Sequence, residues 1–88
     1  MKRDEQFFGE RPLELVYIAK KLNDALRLEK LLTGEEIEYL VETDTYVGGF
    51  IFRASRVGAF FYVAAQDLEK SRAAMRDGGY RPYETAAE

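Results

Sequence analysis

Apolar and polar residues change their period along this chain, and the changes divide it into strands and helices. Residues 13–20 are largely apolar on both alternating faces, which is typical of a central strand. From Asn23 onward the apolar residues recur at helical spacing, which predicts a helix over about residues 24–33. Asn23 is the expected N-cap, and Gly34 is the expected stop.

The second half of the chain predicts two more strands and a second helix. Residues 37–45 alternate between apolar and charged positions, as in a half-buried strand at the edge of a sheet. Residues 59–65 are apolar on both faces, which again indicates a central strand. Asp67 is expected to cap the helix that follows, and Gly78-Gly79 to end it.

Two short segments are candidates for further strands. Phe50-Ile51-Phe52 follows Gly48-Gly49 and has the pattern of a strand that returns as a hairpin. Residues 80–83 are candidates for a final edge strand, although Pro82 limits their backbone pairing.

The order β-α-β-β-α, with a possible last strand, predicts an α+β domain. Strands one and three have the pattern of central strands and strand two that of an edge. This arrangement is expected in a ferredoxin-like split βαβ two-layer sandwich with both helices on one face. We expect a flexible N-terminal arm over residues 1–12, the domain over 13–83, and a mobile tail over 84–88. The arm carries Phe7-Phe8. It either docks through these two rings or, alternatively, is a frayed terminus.

A two-layer sandwich leaves one face of its sheet open, and that face is the first candidate for function. We expect Tyr17, Phe60 and Tyr62 on it, because branched aliphatic residues pack best against helices. An apolar patch of this kind usually marks an interface. The expected partner is a second copy of the chain, and the alternative is that the arm or the Tyr80–Tyr83 segment folds back over the face.

A second interpretation of the same rings is stacking on single-stranded RNA. Residues 16–19 faintly resemble the first signature of RNA-recognition motifs, and aromatic residues on a sheet stack unpaired bases. Val57 and Gly58 stand where the second signature has glycine and an aromatic residue. The net charge of −3 also disfavours phosphate binding, so nucleic acid is the less favoured partner.

The connection between strands two and three is the second candidate contact site. Arg53 and Arg56 suit an anionic ligand or an unidentified protein partner. The partner-binding candidates on this connection are Tyr46, Phe50, Phe52, Arg53 and Arg56.

Composition limits the chemistry more than any motif does. The 88 residues include no cysteine and no histidine, which excludes disulfides, thiolate nucleophiles, Cys/His zinc sites and histidine acid–base catalysis. Glu42 and Asp44 share one strand face, an arrangement that suits a hard cation or a catalytic carboxylate pair; a solvated edge strand explains them more simply. We therefore expect no enzyme activity, catalytic residues, cofactor or metal.

The longest fully apolar run, residues 59–65, has seven residues, whereas a membrane-spanning helix needs about 20. The charged first residues lack the apolar segment of a secretory signal. We expect a cytoplasmic protein with no membrane segment.

Short motifs spread over about residues 14–80 resemble a known family. They are Tyr17-Ile18-Ala19, Asn23-Asp24-Ala25, Leu31-Leu32, Ile37-Glu38-Tyr39, Tyr62-Val63 and the run from Asp67 to Arg72. In order and spacing they are similar to the small prokaryotic signal-transducing proteins of unknown function, which are related in fold to the nitrogen-regulatory PII proteins. The resemblance implies a ferredoxin-like fold, a regulatory role and no enzyme activity. Members tend to have a glycine before the isoleucine that opens strand two, where this chain has Glu36.

Overall fold

Three strands and two long helices dominate the part of the chain that the structure, a computed structural model, describes: residues 1–48 and 54–83. The elements are the short helix α1 (Glu5–Phe8), β1 (Leu13–Ala19), α2 (Leu22–Gly34), β2 (Tyr39–Gly48), β3 (Ala54–Ala64), a 3₁₀ turn (Ala65–Asp67) and α3 (Leu68–Asp77). The α+β class is confirmed.

The three described strands form an antiparallel sheet in the order β1-β3-β2. The predictions that β3 is central and β2 lies at an edge are confirmed. β1 was predicted to be central, but it has a strand neighbour only on the β3 side within the described residues. On its other side the Tyr83 N–H donates to the Val16 carbonyl at 2.6 Å. Residues 80–83 thus lie beside β1 without forming the predicted strand.

β2 and β3 reach further than their apolar patterns indicated. Strand two was expected to end at Thr45 and strand three to begin at Ala59, but pairing continues through Tyr46 with Arg56 to Gly48 with Ala54. Backbone hydrogen bonds build this ladder, and they do not require apolar side chains. Hydropathy alone therefore missed the far end of these two strands.

Helix α2 forms because Ala25, Leu28 and Leu32 fall on one side, where all three are buried. The helix begins at Leu22 after Lys21, so the expectation of Asn23 as N-cap is wrong.

The end of α2 also differs from expectation, because Gly34 is its last helical residue and Glu36 takes the left-handed conformation at φ 59°. Glu36 N–H donates to the Thr33 carbonyl at 3.1 Å, and Ile37 N–H donates to the Leu32 carbonyl at 2.9 Å. These two bonds make a Schellman motif with glutamate in the position that glycine usually fills.

Helix α3 ends as predicted. Gly78 follows its last residue, and Gly79 takes the left-handed conformation at φ 87°. At the other end, Asp67 occupies the N-cap position without a side-chain cap bond. Its carbonyl instead accepts a 2.7 Å hydrogen bond from the hydroxyl of Ser71, which is fully buried.

The main core lies between the sheet and the two long helices, which contact each other and the same side of the sheet. Its buried members are Val16, Ala19, Ala25, Leu28, Leu32, Ile37, Tyr39, Phe61, Val63 and Met75. The Tyr39 hydroxyl within this core is 3.3 Å from both the Thr33 hydroxyl and the Glu29 carbonyl, so its polar atom is satisfied. Within residues 1–48 and 54–83, no long helix packs on the opposite face of the sheet.

Candidate interaction surface

The open face of the sheet carries an apolar strip that runs across β1 and β3. Strand pairing places Leu15 beside Tyr62 and Ile18 beside Phe60, so each pair points to the same side. All four side chains are half-buried. Leu15, Ile18 and Phe60 belong to neither core cluster. We call these four residues the open-face strip.

Tyr17 does not belong to this strip, so the expectation that it lies on the open face is wrong. A β-bulge between Leu15 and Tyr17 breaks the alternation and turns both Val16 and Tyr17 toward the helices. The Tyr17 hydroxyl donates a 2.8 Å hydrogen bond to the Asp24 carboxylate on α2. Burial and this hydrogen bond raise the pKa of Tyr17 to about 12.

The N-terminal arm covers one end of the open face. Phe8 is 2% exposed and forms a second core cluster with Leu40 and Ala64, against which Leu13 and Tyr62 also pack. The sequence-based alternative in which the arm folds back is therefore confirmed for Phe8, whereas Phe7 stays 40% exposed. Flexibility of the arm remains a prediction.

The Tyr80–Tyr83 segment lies elsewhere. The Tyr80 ring meets the Tyr17 ring edge to face at 5.4 Å, on the side of the sheet that faces the helices. The segment therefore does not cover the open-face strip.

Polar contacts hold the arm along the edge of β2. The Arg3 guanidinium contacts both carboxylate oxygens of Glu38, at 2.6 and 3.3 Å, and lies 4.5 Å from the centre of the Phe7 ring. The Arg3 hydrogen bond is the main reason that the pKa of Glu38 lies below its usual range. Asp4 caps the short helix α1 by accepting from the Phe7 N–H at 3.0 Å. Contacts of the residues that precede Phe8 thus hold the arm beside β2.

Carboxylates border the open-face strip on its β2 side. Glu42 pairs with Phe60 and Asp44 with Gly58, which places both acids on the open face. The pKa of Glu42 is raised, first by a hydrogen bond with Glu5 of the arm and then by partial burial and the nearby negative charges. Burial and these two β2 carboxylates also raise the pKa of Tyr62. The strip is therefore apolar along its centre and acidic along one border.

The acidic border of the open-face strip argues against the RNA interpretation. Only Phe60 and Tyr62 of the three predicted rings lie on the open face, and the Glu42 and Asp44 carboxylates beside them repel phosphates. The open face is therefore poorly suited to stacking on single-stranded RNA.

The second predicted contact site falls partly within the described residues. Tyr46 and Arg56 pair across β2 and β3, and the Arg56 side chain is exposed. Phe50, Phe52, Arg53 and the proposed strand of residues 50–52 lie outside the described residues.

Sequence reasoning missed a polar cleft between α2 and the end of α3. Its volume is about 380 Å³, and its lining includes Asp24, Arg27 and Tyr80. Asp24 and Arg27 are three residues apart on α2, a spacing that puts side chains on one helix face and was visible in the sequence. The contribution of Tyr80 required knowledge of the fold.

Comparison of the chain with protein-family models, curated proteins and solved structures gives no significant match. The resemblance to prokaryotic signal-transducing proteins therefore stays a prediction.

Residues 1–48 and 54–83 contain no group of three or more acidic, histidine or cysteine side chains arranged to hold a metal ion. No helix in the same residues is long and apolar enough to cross a membrane.

Proposed function

We propose that this protein is a small regulatory interaction module without enzyme activity, and that it associates with a second copy of itself through the open-face strip. The fold that best fits the observed strand order is the ferredoxin-like sandwich, in which β3 lies between β1 and β2. The observation that carries the proposal is that Leu15, Ile18 and Phe60 pack into neither core cluster, although they adjoin one another on one sheet face.

A second sheet fits this strip better than a small ligand does. The strip is a row of apolar side chains on a pleated surface, and flat apolar patches are typical of protein interfaces. This sheet face carries charges of both signs beside the strip, with Glu42 and Asp44 on β2 and Arg56 two residues from Gly58 on β3. Two copies related by a twofold axis can bring these opposite charges together while they bury the strip.

The regulatory part of the proposal rests on the sequence. The chain has no cysteine or histidine, and its short motifs resemble those of signal-transducing proteins. A module of this kind acts through the partner that it binds.

Sedimentation velocity over about 1 µM to 1 mM tests self-association. We expect the wild type to move from 10.1 kDa toward twice that mass as concentration rises. Phe60→Ser should weaken the dimer by about 10³-fold, because a loss of about 2 kcal/mol occurs once in each copy.

Val57→Ser is the matched control. Val57 lies on the same strand and is 63% exposed, but it points to the other side of the sheet. We expect this variant to dimerise like the wild type. A wild type that remains at 10.1 kDa throughout, or equal losses in the two variants, would overturn the proposal.

A further inference from the structure

The outer edge of β2 continues beyond the segment that the N-terminal arm covers. At Tyr39 both backbone groups point away from β3: the N–H donates to the Met1 carbonyl at 3.0 Å, and the carbonyl accepts from the Arg3 N–H at 2.7 Å. In an antiparallel ladder, backbone groups of alternate residues point the same way. The N–H and C=O groups of Val41 and Thr43 therefore also point outward.

These outward groups have no backbone partner within the described part of the chain. The unpaired stretch ends at Thr45, whose N–H donates to the Asp44 carboxylate at 2.7 Å. Val41 and Thr43 together offer two donors and two acceptors, which suits a short added strand.

A groove lies beside this stretch. It has a volume of about 590 Å³ and opens where the arm leaves β2 to form α1. Its lining includes Arg3 and Glu5 of the arm and Val41 and Glu42 of β2. A strand added along Val41 and Thr43 places alternate side chains at this groove.

The charges beside the edge favour a cationic strand. Glu5 and Glu42 approach closely enough to raise the pKa of Glu42, and Asp44 follows on the same face of β2. The N-terminal arm already pairs with the β2 edge in this manner at Tyr39, two residues before Val41. The Arg3 N–H donates to the Tyr39 carbonyl, and the Arg3 guanidinium contacts the Glu38 carboxylate. A basic side chain on an added strand would meet Glu42 in the same manner.

The same charges disfavour a second copy at this edge. Two β2 strands that pair antiparallel about Thr43 place Glu42 of one copy opposite Asp44 of the other. Like charges that face each other across a ladder are destabilising. The occupant that fits is a segment of a different protein.

We propose that the Val41–Thr43 edge of β2 binds an extended segment of a partner protein that carries lysine or arginine at alternate positions. The site adjoins the border of the open-face strip at Glu42 and Asp44, but it uses the outward backbone groups of β2 and does not require the proposed self-association.

Fluorescence anisotropy with labelled peptides at low salt tests this site. The probe is a hexapeptide that alternates lysine and threonine, and the control is a peptide of three lysines followed by three threonines, which has the same charge. We expect the alternating peptide to bind at least about tenfold more tightly than the control peptide. In an extended strand all the lysines of the alternating peptide fall on one face, whereas those of the control fall on both faces. No binding of the alternating peptide up to about 1 mM, or equal binding of both peptides, would overturn the proposal.

Variants locate the binding. The double variant Glu42→Gln/Asp44→Asn should weaken binding of the alternating peptide by at least about tenfold. The double variant Glu14→Gln/Asp77→Asn removes the same charge from exposed residues of β1 and α3 and should leave binding within about twofold. Equal losses in both would show attraction by net charge alone and would overturn the proposal.

Amide shifts of the wild type give a readout that needs no variant. In ¹H–¹⁵N spectra of the wild type the alternating peptide should shift the Val41 and Thr43 amides most. In a separate anisotropy measurement, Phe60→Ser should bind the peptide as tightly as the wild type. Largest shifts at Ile18 and Phe60 would instead place the peptide on the open-face strip and contradict the edge site.

Discussion

Phe8→Ala removes the ring that holds the N-terminal arm on the open face. Phe8 is 2% exposed and packs against Leu40, Ala64, Leu13 and Tyr62. Truncation of a buried phenylalanine to alanine typically lowers the free energy of unfolding by about 3–5 kcal/mol when the surrounding core does not collapse into the cavity. Because the arm can leave the sheet instead of enclosing a cavity, we expect a loss of about 2–3 kcal/mol. In a domain of this size that lowers Tm by roughly 10–20 °C.

Urea denaturation followed by circular dichroism measures this loss. Phe7→Ala is the matched control, because Phe7 is 40% exposed and its ring contacts Phe8 only edge to face at 5.1 Å. We expect Phe7→Ala to cost less than about 1 kcal/mol. Equal losses for the two variants, or a larger one for Phe7→Ala, would refute the inference that Phe8 anchors the arm.

Three further predictions concern the helix ends and the half-buried phenol of Tyr17. In chemical denaturation, Glu36→Gly should raise the free energy of unfolding by about 0.5–1 kcal/mol, because Glu36 occupies the left-handed position at φ 59°. Gly79→Ala, at φ 87°, should lower the free energy of unfolding by about 1 kcal/mol. Changes of the same sign in the two variants would contradict this. In NMR titration of the tyrosine rings, Tyr17 should have a pKa of about 12. Because the folded state then holds this proton more tightly than the unfolded state, the free energy of unfolding should fall as the pH rises from about 10 to about 12. Asp24→Asn should lower the pKa of Tyr17 but leave it above its ordinary value, since burial is its largest cause; an unchanged pKa would refute the role of the hydrogen bond.

The positions of β3 and β2 in the sheet were predictable because hydropathy reports burial on two faces, although the same reasoning placed β1 at the centre, where the described strands do not put it. Residues 59–65 are apolar on both faces, and the strand that contains them, β3, lies in the middle of the sheet. The charged face of residues 37–45 likewise marked β2 as an edge. Helix ends were less predictable, because the left-handed position after α2 is filled by Glu36 and not by a glycine.

The candidate surface was predicted only in part. Simple alternation correctly placed Phe60 and Tyr62 together on the open face. It failed for Tyr17, because the bulge before that residue inserts one extra position and nothing in the local pattern marks it. The docking of Phe8 depends on Leu40 and Ala64, which are far away in sequence, so no local signal distinguished Phe8 from Phe7.

Cysteine cross-linking tests self-association through the open-face strip most directly, because the chain has no cysteine of its own. Ile18→Cys places a thiol on the strip, and Val57→Cys places one on the other side of the sheet. With a short bismaleimide at about 50 µM protein, we predict a covalent dimer for Ile18→Cys and little for Val57→Cys. Monomer alone for Ile18→Cys, or equal dimer yields from both variants, would contradict self-association through this face.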